Sequence, residues 1–244
     1  MRLLRHRLTE SINDKGLLKA MFIVGYPGAG KSTLVRMIHD GTMPVMQVNS
    51  DIWTEYYHKF DRKAWEDIGP LVKRHSLSNI YNHMNGLLPL YVDTTGADPK
   101  NFQNRVNTLK SFGYDIKMIF VDVTLNTAKE RAKKRAEEGG RDVPAEVIDS
   151  IYAKVNRDLP LYKKTIQDYK VIRNNDGNIS FKFLNKVRNE VFRFYNAPVK
   201  NSIGKEVLDF MRKKGYKYYS NIPDEERIEN GWVALTKNMD WYNY

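Results

Sequence analysis

Five short apolar runs, separated by longer polar stretches with helical spacing, predict an α/β fold with a parallel sheet of about five strands and helices on both faces. Two further observations support this class. A glycine-rich segment joins the first apolar run to the first helical stretch, and no tract approaches the roughly 18 consecutive apolar residues of a membrane span.

The strand candidates are Lys19–Val24, Val45–Asn49, Leu88–Val92, Ile116–Val123 and Tyr169–Arg173, all rich in Val, Ile, Phe and Tyr. Helical spacing is read over Lys31–Asp40, Lys63–Leu87 with an interruption at Pro70, Asn101–Phe112, Thr127–Glu138 and Ala145–Asn156. Strand and helix thus alternate, which places ligands at the carboxyl ends of the strands. The organisation expected is a basic N-terminal arm over 1–18, a nucleotide-binding α/β domain over 19–195, and an aromatic-rich appendage over 196–244 that begins at the turn Asn196-Ala197-Pro198.

Composition sets bounds. With 244 residues, 41% hydrophobic and 28% charged, the chain is expected to be globular and large enough to bury a core. Cysteine is absent, so disulfides and thiolate metal sites are excluded, and a reducing, cytoplasmic setting is expected. The start, Met1 to Leu8, interleaves cations with leucines but lacks an apolar signal core, and is read as a basic arm packed on the domain. A net charge of +11 would attract polyanions, nucleic acid first among them.

The chemistry starts at Gly25-Tyr26-Pro27-Gly28-Ala29-Gly30-Lys31-Ser32, a match to Gly-x-x-x-x-Gly-Lys-Ser/Thr between a buried-strand sequence and a helix opening. Gly25, Tyr26, Gly28, Ala29, Gly30, Lys31, Ser32 and Thr33 are the candidate nucleotide contacts. Backbone N–H groups close around phosphate oxygens, Lys31 reaches the terminal phosphates of ATP, and Ser32 binds Mg2+.

Several classes share this loop, and the second motif separates them. Asp93-Thr94-Thr95-Gly96 fits the Asp-x-x-Gly of a nucleotide switch, but neither a guanine-reading Asn-Lys-x-Asp nor the Asp-Glu pair of hydrolysing ATPases is present. A kinase needs neither. It needs a carboxylate beside the acceptor hydroxyl, and Asp51, closing Met46-Gln47-Val48-Asn49-Ser50-Asp51, lies at the end of the second strand. It also needs positive charge over the transferring phosphoryl group. Arg131 and Arg135 stand four apart on one helix face before the pair Gly139-Gly140, in a candidate lid over about 129–144.

Taken together, Val24–Ser32, Val48–Asp51, Val92-Asp93-Thr94 with Asp98-Pro99, and Arg131-x-x-x-Arg135 followed by Val143–Tyr152 resemble polynucleotide 5′-kinases of bacteriophage type, and more distantly zeta-toxin kinases. The resemblance spans about residues 20–157. It implies a three-layer P-loop kinase fold with an arginine-bearing lid. By position it assigns Asp51 as general base, Lys31 and Ser32 to the nucleotide phosphates and metal, Arg135 to nucleotide and transfer, and Asp93 to the vicinity of the metal.

Two departures shape the acceptor. The phage enzymes carry an arginine three residues after the catalytic aspartate, where this chain has Thr54; Lys59, Arg62 or Lys63 are the substitutes in reach. Asn174-Asn175-Asp176-Gly177 does not match the Asp-x-Asp-Gly-Thr of a phosphatase domain, so no 3′-phosphatase is expected. Trp53, Tyr56, Tyr57, His58 and Trp65 would surround the acceptor, as core packing or as stacking surface for a base. Lys213 to Tyr219 interleaves cations and rings, which suits either a strand-binding surface or an ordinary exposed strand or hairpin.

Overall fold

The computed structural model describes residues 14–39, 45–48, 83–140, 142–175 and 181–232, together with positions 12, 71, 72, 78 and 80. Its centre is a five-stranded parallel sheet in the order β2-β3-β1-β4-β5. The strands are β1 (Lys19–Gly25), β2 (Met46–Val48), β3 (Leu90–Thr94), β4 (Asp115–Asp122) and β5 (Tyr169–Arg173).

All seven residues of β1 are buried, because β3 and β4 flank it and helices cover both faces. Its near-continuous apolar run is the pattern such a strand requires. The register pairs Val24 with Thr94 and Gly25 with Val121, so the loops leaving β1, β3 and β4 emerge side by side.

Seven α-helices are delimited among the described residues: α1 (Lys31–His39), α2 (Pro99–Ser111), α3 (Leu125–Glu137), α4 (Ala145–Thr165), α5 (Phe181–Asn196), α6 (Ser202–Lys214) and α7 (Asp224–Glu229). Local chemistry sets several ends. Asp98 accepts from the Asn101 N–H at 3.0 Å and Pro99 opens α2, a preferred capping pair. Thr124 caps α3. Within the expected helix Lys63–Leu87, positions 71–72, 78, 80 and 83–85 are helical, Gly86 and Leu87 form a turn that ends the helix short of the expected bound, and the rest lies outside the described residues.

Helix α4 runs nine residues past the expected end at Asn156, through Pro160. The proline removes one N–H donor, the one that would reach the Asn156 carbonyl. Tertiary contacts hold the last turns in place: Tyr162 is fully buried and its hydroxyl donates to the Gly96 carbonyl. No helix among the described residues is long and apolar enough to cross a membrane.

Lys213 to Tyr219 forms neither strand nor hairpin. It is the end of α6, a turn at Gly215 and the start of a short 3-10 helix. Tyr219 is buried and Tyr216 stacks on Phe210, so these rings pack inward. Lys213, Lys214 and Lys217 remain exposed. Helix α6 lies against the entry to β4, where a side chain on Gly204 would sit 2.3 Å from the Gly113 carbonyl oxygen.

Candidate active site

The segment between β1 and α1 forms a tight loop at the carboxyl edge of the sheet. Gly28 and Gly30 take φ of 79° and 88°, which side-chain-bearing residues rarely adopt. Space also demands glycine at both. A Cβ on Gly28 would lie 2.2 Å from the Ala128 carbonyl oxygen in α3, and one on Gly30 2.6 Å from Asn174 Nδ2. The backbone is thus laid open to a ligand on one side and pressed against α3 and β5 on the other.

The candidate nucleotide residues divide by exposure. Gly25, Tyr26 and Ala29 are buried, Gly28, Gly30 and Lys31 half-buried, and Ser32 and Thr33 exposed in the first turn of α1. Tyr26 turns its ring under the loop, where it packs on Tyr152 and Phe120, and its hydroxyl donates to Asn156 Oδ1 at 2.7 Å. Burial pushes its hydroxyl pKa well above the ordinary tyrosine value. Any contact of Tyr26 with nucleotide is therefore through its backbone.

Lys31 folds over the loop. Its Nζ donates to the Gly25 carbonyl at 2.8 Å and the Tyr26 carbonyl at 3.3 Å, and lies 3.9 Å from Asp93 Oδ1. Both side chains are largely enclosed, 13% and 7% exposed, so their attraction is less screened than at a surface. Asp93 is near the end of β3, paired with Ile23 of β1, and the Thr95 and Gly96 that follow turn beneath Tyr162.

The arginines come from α3. Arg131 Nη2 donates to the Asn175 carbonyl at 2.9 Å, so this cation is tied to the end of β5. Arg135 is half-buried one turn on. Gly139 and Gly140 close the helix: the Gly139 N–H donates to Ala136 and the Gly140 N–H to Arg135, the bond pattern of a Schellman ending. Gly140 also lies against the Arg135 stem, where an added Cβ would come within 2.7 Å of Arg135 Cγ. The structure brings together the loop, Lys31 and Asp93, and it joins Arg131 to Asn175 at the end of β5. Asp51, Thr54, Lys59, Arg62, Lys63, the aromatics Trp53, Tyr56, Tyr57, His58 and Trp65, and Arg141 lie outside the described residues.

A family model described as an AAA domain matches residues 21–157, more than half of the chain. The chain belongs to that family. Among solved structures, this AAA-domain chain is similar to a candidate kinase from Chloroflexus aurantiacus, with a TM-score of 0.57, 14% identity, and coverage of 72% of this chain and 98% of that one. It is also similar to a chain of the Pnkp1/Rnl/Hen1 RNA repair complex, with a TM-score of 0.50, 22% identity, and coverage of 61% and 47%. A shikimate kinase from Acinetobacter baumannii aligns at a TM-score of 0.43 with 14% identity, over 73% of this chain and 93% of that one. A search of curated proteins finds no significant match. The fold is that of the P-loop kinases, and the family carries ATP binding with it.

Several residues of this AAA-domain site escape sequence reasoning. Asn174 donates to the Ala29 carbonyl at 2.9 Å, and Asn175 Oδ1 accepts from the Thr124 N–H at 2.8 Å. Asn156 and Tyr162 tie α4 to the loop and to the end of β3. Asp122 ends β4 opposite Arg173; burial raises its carboxyl pKa above the ordinary value, against the pull of Arg173 and Lys163. The one available signal was position: each follows a strand end or faces one.

Proposed function

We propose that the protein is an ATP-dependent phosphotransferase that moves the γ-phosphoryl group to a hydroxyl of a nucleic acid, at a 5′ end or on a modified base. One observation carries the phosphotransfer reading. Lys31 is held over the phosphate loop between two backbone carbonyls and Asp93, and α3, which packs against Gly28 of that loop, carries Arg131 and Arg135. Carbonyl partners are ones an ammonium exchanges readily for phosphate oxygens, since those bonds become charge-assisted.

The roles follow from placement. Loop N–H groups and Lys31 hold the phosphates. Arg135, with Arg131 behind it, brings positive charge over the transferring group. Strand β2 runs parallel to β3 and ends at Val48, at the carboxyl edge of the sheet, three residues before Asp51 in the sequence. Asp51 takes the proton of the acceptor hydroxyl as the new O–P bond forms and the bond to the leaving nucleoside diphosphate breaks. The oxygen donors present, an exposed Ser32 hydroxyl opening α1 and the Asp93 carboxylate beside Lys31, fit Mg2+, a hard cation that takes such ligands. When bound, the ion supplies charge neutralisation on the phosphates.

Nucleic acid is favoured as acceptor by the net charge of +11 and by the RNA-repair neighbour. A second reading, a kinase of a free nucleotide, nucleoside or sugar nucleotide, is favoured by Thr54 standing where phage-type kinases have an acceptor-gripping arginine. The test is incubation with γ-labelled ATP and 5′-hydroxyl RNA or DNA, in parallel with a metabolite mixture. Label in polymer is expected; label only in small molecules would overturn the nucleic-acid acceptor.

A further inference from the structure

Two consecutive asparagines after β5 each close a different part of the site. Asn174 is nine-tenths buried, its N–H donates to the Asp122 carbonyl at 2.8 Å, and its Nδ2 donates to the Ala29 carbonyl at 2.9 Å. Its Oδ1 is buried without a hydrogen-bond partner. Burying an amide with half its capacity unmet is costly, so this residue type is a poor choice for packing alone. Asn175 takes the Thr124 N–H on its side chain and Arg131 Nη2 on its carbonyl.

Peptide geometry gives the first bond a consequence. In a trans peptide the carbonyl and the following N–H point in opposite directions. Fixing the Ala29 carbonyl toward β5 turns the Gly30 N–H away from β5, and N–H groups turned outward in a loop of this kind are the ones that meet an anion. Gly30 has no side chain to interfere, and Asn174 Nδ2 occupies the space a Cβ would need.

We propose that Asn174 and Asn175 are positioning residues: Asn174 sets the Ala29–Gly30 peptide to receive phosphate, while Asn175 locks the start of α3 and Arg131 to the same strand end. Loop and arginine helix are thereby held in one register. The consequence for phosphotransfer rests on the kinase reading above; the consequence for the loop itself does not.

The test uses the full chain, with hydrogen exchange of the 25–34 segment in nucleotide-free protein and affinity for a fluorescent ATP analogue. Asn174→Ala is expected to speed exchange of the segment and to weaken affinity about 10-fold at any pH, the size of one lost hydrogen bond to a buried group. Asn174→Asp sets an acceptor against the Ala29 carbonyl at pH 8, and should weaken affinity by about 30-fold there. Burial raises the introduced carboxyl, and once protonated it donates to Ala29, so affinity and loop protection should return to within about 3-fold of wild type near pH 5.5. Asn174→Leu, which fills the space without a donor, should stay as weak as Asn174→Ala at both pH values, whereas a residue that merely filled space would be replaced by leucine without loss. Asn175→Ala removes the side-chain bond to the Thr124 N–H and keeps the carbonyl that Arg131 meets, so it should lower kcat several-fold by loosening the start of α3 while leaving affinity for the analogue within about 2-fold.

Loop exchange and affinity within twofold of wild type in both Asn174→Ala and Asn174→Asp would overturn the proposal, as would identical pH profiles for the two. Because the readout compares variants with each other, poor folding of one is caught by its Tm, and Asn174→Ser, which keeps a donor, should then recover loop protection or the proposal fails. If wild-type protein binds no nucleotide while loop exchange follows Asn174 as stated, the kinase reading fails and the positioning role stands. If wild-type protein binds and the variants bind equally, the reverse holds.

Discussion

The two edges of the sheet treat their charges in opposite ways. At the amino edge, cations are matched to carboxylates inside the protein. Lys19, 2% exposed, donates to Asp115 at 2.6 Å and to the Pro198 carbonyl at 3.1 Å, and Asp115 also accepts the Lys200 and Asn201 N–H groups at 2.8 Å. Lys117 meets Asp168 at 2.6 Å and Glu190 at 3.0 Å, and Lys170 meets Glu190 too. At the carboxyl edge, Lys31 and Arg131 instead lean on backbone carbonyls. A carboxylate in direct contact holds a cation as structure, whereas the carbonyl contacts of Lys31, with Asp93 at 3.9 Å beside them, are ones a phosphate oxygen can replace with a charge-assisted bond. The same residue type therefore stabilises at one edge and, on the proposed reading, meets phosphate at the other.

The largest expected effect is at the amino edge. Asp115→Ala strands a buried ammonium and two N–H groups, and should cost about 3–5 kcal/mol of stability. Denaturant unfolding measures this, and ATP affinity well below the transition should be unchanged. Lys31→Met is the counterpart: phosphotransfer should fall by about 10² to 10³ with little change in Tm. If the two variants exchange these signatures, the contrast between edges is wrong.

Gly140→Ala sharpens the comparison within α3. Its Cβ would press on the Arg135 stem and lie 2.9 Å from the Arg135 carbonyl oxygen, so transfer should fall about 10-fold and the end of the helix should loosen, with a small fall in Tm. Single-turnover rates beside those of Arg135→Ala show whether the two act through the same cation.

The smallest effect is at Asp122. Its carboxyl binds a proton more tightly in the folded state than in the unfolded chain. That contribution is complete below the ordinary aspartate range and is lost as pH rises through the folded-state value. Asp122→Asn should therefore raise Tm slightly at pH 7 and leave it unchanged near pH 3.5. A Tm rise that is the same at both values would contradict burial as the cause.

Legibility in the sequence follows the range of the interactions. All five strands lie where the apolar runs place them, β5 with the same bounds, because a strand buried on both faces shows in its own residues. The phosphate loop is legible for a similar reason: Gly25 to Ser32 are contiguous. What anchors the loop is not, since Asn156 and Asn174 reach it from 130 and 145 residues away. Helix α4 extends past its expected end because the Tyr162 contact sustains turns whose pattern Asp158 and Pro160 disturb. Helix α6 went unread among exposed lysines, although Val207, Leu208 and Met211 form its buried face.

On the proposed reading, the edge where Lys31 and α3 flank the phosphate loop carries transfer, as against hydrolysis. The most direct measurement follows the γ-phosphorus of labelled ATP in the presence of 5′-hydroxyl RNA, with α-labelled ATP as control. The expected result is γ-label, and never α-label, covalently joined to an acceptor, with Asp51→Asn binding ATP normally and transferring about 10² to 10⁴ times more slowly. Label recovered only as inorganic phosphate, at the same rate with and without acceptor and unchanged in Asp51→Asn, would contradict it.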